Sequence, residues 1–337
     1  MMRARHRELF FLCIVICAIS FSYGFMDWVG YWQSFHGHPE AWYLYLHGGI
    51  DAPLQYRIGI WLVVAWAHTR LHLSIWLALT LIDVVSIGLA LWCLVSVLRT
   101  NVTYLGYSAS GRMLSMVGLF FGVEYYLAWG HWFQYPGTMP SCLFVCLSVL
   151  LVSGKVIQNR YLTSLCLVGA SCIQGLVRAD IAVVLHAGFF LAAFTPLTTN
   201  IPFGRKWQAV TSALAALSAG LVQLYLMEVR FPGARYGSAG VFRFSTNLLP
   251  ANWMTAALAL LPFWTILYLT VRRKYCPDSV TAMLLLSSCL YFALWGMVGR
   301  LQEVRIFLPF GMALLPSTCL ALSGMLPEVL SGPADCD

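Results

Sequence analysis

A polar segment, residues 26–57, carries side chains that could do chemistry in an otherwise apolar chain. It contains three of the thirteen Asp and Glu residues and three of the eight histidines. Asp27 follows the first apolar run directly and has Trp28, Tyr31 and Trp32 beside it, aromatic residues that suit a water–lipid boundary. A carboxylate at such a boundary can act as a general base or bind a metal. The alternative is a solvated residue at a helix end.

The same segment ends in a short motif that presents donors and acceptors. Its residues are Asp51-Ala52-Pro53-Leu54-Gln55-Tyr56-Arg57. Pro53 suits the first turn of a helix, so Asp51 is either a substrate ligand or only a helix cap. Gln55 and Tyr56 would then lie on the first turns of that helix. Arg57 can bind a phosphate through its fork of donors; otherwise it pairs with a carboxylate or reaches lipid headgroups.

Carboxylates also occur within the apolar runs. Asp83 lies well inside one of them, where a charge is costly, so it either functions or is a neutral carboxyl bonded to a neighbouring helix. Glu124 and His131 are seven residues apart and would share one helix face. Together they could shuttle a proton or hold a divalent metal. In the second case Asp27 or Asp51 would supply a further ligand, which makes a divalent metal a candidate cofactor.

Two further breaks in the apolar pattern carry arginines. Arg178-Ala179-Asp180 divides a long apolar run into two short spans and predicts an Arg–Asp pair at a tight outer turn. Before the final apolar run, Arg300 and Glu303 are three residues apart and can pair on a helix. Arg305 is two residues from Glu303 and would face another direction. Arginines left unpaired here are candidates for a phosphate clamp.

Composition identifies the solvent of this chain as lipid. Of its 337 residues, 60% are hydrophobic and 10% charged, and the mean hydropathy is +0.76. No long hydrophilic block interrupts it, so we expect a single integral membrane domain over residues 1–337. The net charge of +7 comes from basic residues scattered at helix ends. This pattern is typical of topology determinants and argues against a nucleic-acid partner.

Apolar runs of roughly the length that crosses a bilayer predict an all-α fold. They lie near residues 9–25, 73–98, 112–130, 138–153, 161–177, 181–195, 207–227, 251–271, 279–298 and 305–324. A further run at 58–70 is short. If it does not cross, the basic clusters between runs lie on the same side as the N-terminal arginines, as the positive-inside rule favours. The prediction is a polytopic transmembrane helix bundle of about ten crossings with a re-entrant or interfacial helix at 58–70.

This topology places both termini in the cytoplasm and the polar chemistry outside. The N-terminal run has no signal-peptidase site after it, so we expect an uncleaved first helix. The first external loop would be residues 26–57, with partial helices, and a second would be residues 228–250. Polar residues collected on one face are typical of an externally facing enzyme, whereas a transporter more often holds them at mid-depth.

Two motifs and their order resemble the bacterial members of the GT-C glycosyltransferase superfamily. They are Pro53-Leu54-Gln55-Tyr56-Arg57 after an acid that follows the first helix, and Glu303-Val304-Arg305-Ile306-Phe307-Leu308-Pro309 at the start of the last helix. The resemblance implies a polyprenyl-phosphate sugar donor used on the outer face of the membrane. It also implies a catalytic acid in the first external loop, which maps to Asp27. The chain departs from better-known members because it lacks an adjacent acidic pair in that loop and a C-terminal soluble domain.

The resulting hypothesis is an inner-membrane glycosyltransferase acting on a cell-envelope glycan or lipid. Asp27 would be the catalytic base. The substrate-binding residues would be Asp51, Gln55, Tyr56, Arg57, Arg300, Glu303 and Arg305. One alternative is a transporter or flippase for a lipid-linked or anionic solute, with Asp83, Glu124 and Arg178 on its pathway. Another is a non-catalytic subunit of an envelope-polymer complex.

Overall fold

The computed structural model describes residues 2–104, 109–132, 135–196, 201–234, 247, 249–273, 277–298 and 303–330. Most of these residues are helical, and no β-strand occurs among them. The helices are α1 (Met2–Phe35), α2 (Ala41–His47), α3 (Ile58–Leu71), α4 (Ile75–Tyr104), α5 (Ala109–Trp132), α6 (Thr138–Val152), α7 (Arg160–Ala192), α8 (Arg205–Tyr225), α9 (Pro250–Ala259), α10 (Leu261–Arg273), α11 (Ser279–Val298) and α12 (Leu308–Leu330). Single turns lie at Leu54–Tyr56, Leu226–Arg230 and Val304–Ile306.

These are the helices of a polytopic membrane protein. Across the described ranges, six helices are long and apolar enough to cross a bilayer, or up to seven if α9 and α10, which meet at 83°, form one span. Three shorter apolar helices accompany them: α3, α6 and the described part of α12. The predicted all-α membrane class is therefore confirmed.

Helices α1 and α4 define the two ends of the bundle because they run antiparallel along their length. Gly24 packs against Val84, and Glu8 forms an ion pair of 3.1 Å with Arg99. We call the end that contains Glu8 the lower end. The opposite end, where α1 finishes and α2 follows, is the upper end. The polar residues of 26–57 therefore lie at the upper end.

Helix α3 begins and finishes at the upper end. Near its start, the Trp61 ring lies 5.7 Å from Phe35 in the last turn of α1. Near its end, the His68 ring lies 6.0 Å from Trp42 of α2. Its 14 residues span about 21 Å, less than the ~30 Å of a bilayer core. This is the geometry predicted for a helix at 58–70 that does not cross.

Helix α7 reverses direction at Arg178, whose φ of −156° and ψ of 85° are not helical. Trp207 Nε1 at the start of α8 donates to the Arg160 carbonyl at 3.2 Å, and Arg205 donates to the carbonyl of Ala193 at 3.4 Å. Both ends of α7 thus lie beside the start of α8. A straight helix of its 33 residues would be about 50 Å long, so α7 folds back on itself. The two short halves are those that the Arg-Ala-Asp break predicts.

Small residues allow close approach between the halves of α7 and their neighbours. The first half runs parallel to α8, with Gly175 against Ala219 and the Ser171 hydroxyl donating to the Ala215 carbonyl at 2.7 Å. The second half packs against α11 through Gly188, where a Cβ would meet the backbone of that helix. This packing fixes the turn at Arg178 at the upper end of the bundle.

The first loop is shorter than expected. Helix α1 continues to Phe35, so Asp27 lies about two turns before its end and not at the helix terminus. The reason is local: Gly30 alone is tolerated in a helix, and the first strong break comes only at Gly37 and Pro39. Most of the predicted 228–250 loop lies outside the described residues.

Candidate functional site

Asp27 lies in a closed cluster of acids and phenols between α1 and α4. Its exposed fraction is 0%, so the interpretation of a solvated helix-end residue is wrong. On α4, Asp83 is 3% exposed and accepts a hydrogen bond of 2.7 Å from the Tyr31 hydroxyl. Asp27 interacts electrostatically with Asp83 and with the Tyr23 hydroxyl. We call these four residues the acid cluster.

Helical spacing explains how α1 contributes to the acid cluster. Tyr23, Asp27 and Tyr31 recur every four residues, which puts them on one face of a helix. That face meets Asp83 across the interface with α4. Two buried carboxylates that interact repel each other when both are ionised, so a proton on either acid relieves this repulsion. Tyr23 was not predicted as a site residue, although its four-residue spacing from Asp27 indicates that the two share a helix face.

His131 lies between the acid cluster and the protein surface. Its Nδ1 atom lies 4.0 Å from Asp27 Oδ1, and its side chain is 34% exposed. Nδ1 is itself buried and has no hydrogen-bond partner within the described part of the chain. Glu124, seven residues earlier, is exposed. No group of three or more His, Cys, Asp or Glu residues that could hold a metal occurs among the residues described, so the proposed metal ligands do not assemble there.

Two arginines converge on the ring of Tyr135, in the connection between α5 and α6. The Arg57 guanidinium carbon lies 5.3 Å from the ring centre and that of Arg305 lies 4.8 Å away, within the range of cation–π attraction. They come from the start of α3 and from the turn before α12, far apart in sequence. We call Arg57, Tyr135 and Arg305 the arginine cluster. Tyr135 belongs to no sequence motif and was therefore not predicted as a site residue.

Arg305 also bonds Glu303, contrary to expectation. Its Nη2 atom donates to Glu303 Oε2 at 3.0 Å, and the two side chains are 25% and 34% exposed. The expectation that these residues face apart assumed an α-helix, but residues 304–306 form a single 3₁₀ turn, in which the geometry differs. Arg300, the other predicted member of this element, lies outside the described residues.

A second network lies beside Arg57 at the turn of α7. Arg178 donates to Asp180 at 2.5 Å and to the Tyr291 hydroxyl at 2.8 Å, and Tyr291 donates to Asp180 at 2.9 Å. The predicted Arg–Asp pair at this turn is thus confirmed. The Arg57 guanidinium is close enough to act electrostatically on Asp180. Arg178 is 3% exposed and its bonds go to Asp180 and Tyr291, so its role here is to hold the turn of α7.

Gln55 holds the loop that presents Arg57. It is 0% exposed, and its amide donates to the Tyr45 carbonyl at 2.5 Å and accepts from the Ile50 amide at 3.0 Å. The first bond ties the loop between α2 and α3 to α2, and the second stays inside the loop. Gln55 therefore positions its neighbours within this loop.

The other predicted residues of this motif differ in burial. The Tyr56 hydroxyl donates to the Ala234 carbonyl at 3.2 Å, and the residue is 4% exposed. Burial raises the pKa of Tyr56, and Glu228 adds to the rise, so the phenol stays a neutral donor. Asp51 is exposed. The turn at Leu54–Tyr56 has no side-chain cap, so Asp51 does not act as the cap considered above.

Tyr45 of α2 is an additional aromatic residue beside the arginine cluster. Its ring stacks on Trp61 with centres 3.9 Å apart. Burial, with a smaller contribution from Tyr135, raises the pKa of Tyr45 to about 12 although Arg57 opposes the rise. The Tyr45 phenol is therefore uncharged near neutral pH and can donate a hydrogen bond next to a cation.

The acid and arginine clusters both lie at the upper end of the bundle. His131, which contacts Asp27, and Tyr135, which contacts both arginines, are four residues apart in the chain. The arrangement places a proton acceptor and two cations at the same end of the bundle, which suits a reaction that deprotonates one group and releases an anion. Comparison of the chain with profiles of known protein families, with curated proteins and with solved structures found no match.

Proposed function

We propose that the protein is a membrane glycosyltransferase of the GT-C kind. It moves a sugar from a polyprenyl-phosphate donor to a cell-envelope glycan or lipid on the outer face of the inner membrane. The observation that carries the proposal is the convergence of Arg57 and Arg305 on Tyr135, four residues from the histidine that contacts Asp27. Cations and a proton acceptor at adjacent positions are what transfer from a phosphate leaving group needs.

In this proposal the arginine cluster binds the donor phosphate. Guanidinium groups match phosphate oxygens with pairs of donors, and the Tyr135 ring between them keeps both at a defined spacing. Glu303 neutralises part of the charge on Arg305 before the donor arrives. A phosphate that displaces Glu303 would gain two cations at once. Aromatic rings nearby, such as Tyr45 and Trp61, offer faces on which a sugar can stack.

The reaction is a single displacement at the anomeric carbon. The bond between that carbon and the phosphate oxygen breaks, and its electron pair leaves on the polyprenyl phosphate. The acceptor oxygen bonds to the same carbon from the opposite face, with inversion. The acceptor's proton passes to the pair formed by Asp27 and His131. Arg57 and Arg305 stabilise the negative charge that develops on the leaving phosphate.

The membrane arrangement that accompanies the proposal has about ten crossings and both termini in the cytoplasm. Three features support it. Helix α3 stays at the upper end, α7 supplies two short spans, and basic residues such as Arg99, Lys155 and Arg160 lie at or near the lower end, where the positive-inside rule expects them. The upper end, with its acid and arginine clusters, would then face outward.

A proton-coupled transporter for a lipid-linked or anionic solute is the second candidate. The observation that favours it is that two buried acids, Asp27 and Asp83, interact across the interface of α1 and α4, because buried acids in membrane helices often carry protons. A transporter would move its solute without breaking the bond between sugar and phosphate. An enzyme would release free polyprenyl phosphate.

The decisive experiment measures release of polyprenyl phosphate by the purified protein in lipid nanodiscs. Polyprenyl-phosphate-linked glucose, mannose and arabinose serve as donors, with envelope lipid extract as acceptor. We expect turnover of at least one donor, and about a 100-fold loss in Arg57→Gln. Arg70→Gln is the matched control, since Arg70 is exposed at the other end of the same helix. Solute movement in vesicles without bond cleavage would refute the enzyme and favour the transporter.

A further inference from the structure

The contact between His131 and Asp27 suggests a division of labour within the proposed reaction. We propose that His131 is the catalytic residue that takes the acceptor's proton, and that Asp27 is a positioning residue that acts through it. This inference rests on the proposed glycosyl transfer. The sequence predicted that Asp27 is the base that contacts the substrate. In the present inference Asp27 instead orients and stabilises the base, His131.

Burial separates the two roles. Asp27 is 0% exposed and is enclosed by the phenols of Tyr23 and Tyr31 and by Asp83. A carboxylate with no exposed surface is out of reach of an acceptor hydroxyl in this conformation. The His131 side chain is 34% exposed and lies one residue before the end of α5. His131 is therefore the member of the pair that a substrate can touch.

The orientation of the imidazole supports this assignment. Its Nδ1 edge is buried and lies 4.0 Å from Asp27 Oδ1, so the exposed part of the ring is the other edge, which carries Nε2. A carboxylate that faces Nδ1 favours the tautomer with the proton on Nδ1 and leaves Nε2 free to accept one. The contact is longer than a hydrogen bond, and catalytic contacts of this kind commonly tighten when substrate binds.

The proton balance follows from this geometry. The acceptor O–H bond breaks as its oxygen bonds to the anomeric carbon, and the proton moves to His131 Nε2. The imidazolium that forms is stabilised by the negative charge of Asp27. Further titratable groups that act on Asp27 are Tyr23 and Tyr31 of its own helix, α1, and Asp83 of α4. The turn that contains Arg305 packs against α5, the helix of His131.

The pH dependence of turnover tests the inference. Release of polyprenyl phosphate would be measured from pH 4 to 9 in nanodiscs for the wild type, His131→Gln, Asp27→Asn and the control His38→Gln. His38 is a matched control because it also faces an acid, Glu40 at 3.6 Å, but is 67% exposed. We expect wild-type kcat to fall at acidic pH, because a protonated His131 can no longer take the acceptor's proton. We expect His131→Gln to lose about 100-fold in kcat together with that pH limb, and His38→Gln to match the wild type.

Asp27→Asn should behave differently from His131→Gln. Removing the carboxylate removes the group that favours the imidazolium, so the pH limb should persist but move to lower pH, with kcat reduced. Restoration of His131→Ala by added imidazole would support the inference independently. Quenching of tryptophan fluorescence by polyprenyl phosphate, at near wild-type affinity, would show that the variants are folded.

Three outcomes count against it. A His131→Gln variant with wild-type kcat and pH profile would overturn the inference and leave the proposed transferase intact. A pH limb that disappears in Asp27→Asn but persists in His131→Gln would return the role of base to Asp27. A wild type that cleaves none of the three donors would overturn the proposed function and this inference with it.

Discussion

The acid cluster and the arginine cluster lie at the same end of the bundle but differ sharply in burial. Asp27 and Asp83 are 0% and 3% exposed, whereas the Arg305 side chain is 25% exposed. The acids bond mainly to neighbours on α1 and α4. The arginines hold an aromatic ring and, for Arg305, an exposed carboxylate. Both clusters are polar groups at one end of an apolar bundle, yet only one is open to a ligand.

The difference indicates how the chain separates binding from proton chemistry. A partly exposed cation such as Arg305 can exchange its carboxylate partner for a phosphate, since exposed ion pairs contribute little to stability. Closed carboxyl groups cannot exchange partners without moving helices, and breaking their contacts is costly. The arginine cluster is therefore suited to binding a substrate. The acid cluster is suited to positioning His131, the group that reacts.

The largest expected effect comes from removing both cations. Arg57→Gln combined with Arg305→Gln should lower kcat/KM for the donor by about 1,000-fold, because the leaving phosphate loses both positive partners. Polyprenyl phosphate release in nanodiscs measures it. Arg70→Gln is the control. Activity within tenfold of the wild type would mean that the arginine cluster does not bind the phosphate.

Asp27→Asn should have the next largest effect. We expect about a 100-fold loss in kcat with donor affinity unchanged, because the side chain keeps its size and loses only its charge. Donor affinity would be followed by tryptophan quenching. A variant that binds donor poorly but turns over normally would assign Asp27 to binding and remove the contrast between the clusters.

Asp83→Asn should cost less, about tenfold in kcat. The amide can still accept the hydrogen bond from Tyr31 but no longer competes with Asp27 for a proton. The same assay measures it, with proton uptake into vesicles as a second readout. A complete loss of proton-coupled solute uptake in this variant, with no bond cleavage in the wild type, would favour the transporter.

The smallest effect should come from Gln55→Ala. Loss of its bonds to the loop backbone should raise KM for the donor by about fivefold and leave kcat unchanged, because Arg57 becomes less well positioned. Asp51→Asn, at an exposed position in the same loop, is the matched control. An unchanged KM would mean that the loop is held in place without Gln55.

The helix breaks were easier to predict than the contacts. The break at Arg178 could be predicted because a single charged tripeptide divides a long apolar run, whereas the topology from the positive-inside rule stays a prediction. The contacts at Tyr135 could not be predicted, since they join residues far apart in the chain through tertiary packing. Glu303 and Arg305 were wrongly separated, because one 3₁₀ turn replaced the assumed α-helix.

The reversal at Arg178 has a consequence for how the protein enters the membrane. An arginine alone at the centre of a bilayer costs about 2.5–3.5 kcal/mol on insertion scales. Arg178 stands at the tip of a helical hairpin with Asp180 bonded to it, so the tip carries no net charge. We expect the two halves of α7 to insert together, with the ion pair crossing lipid as one neutral unit during synthesis.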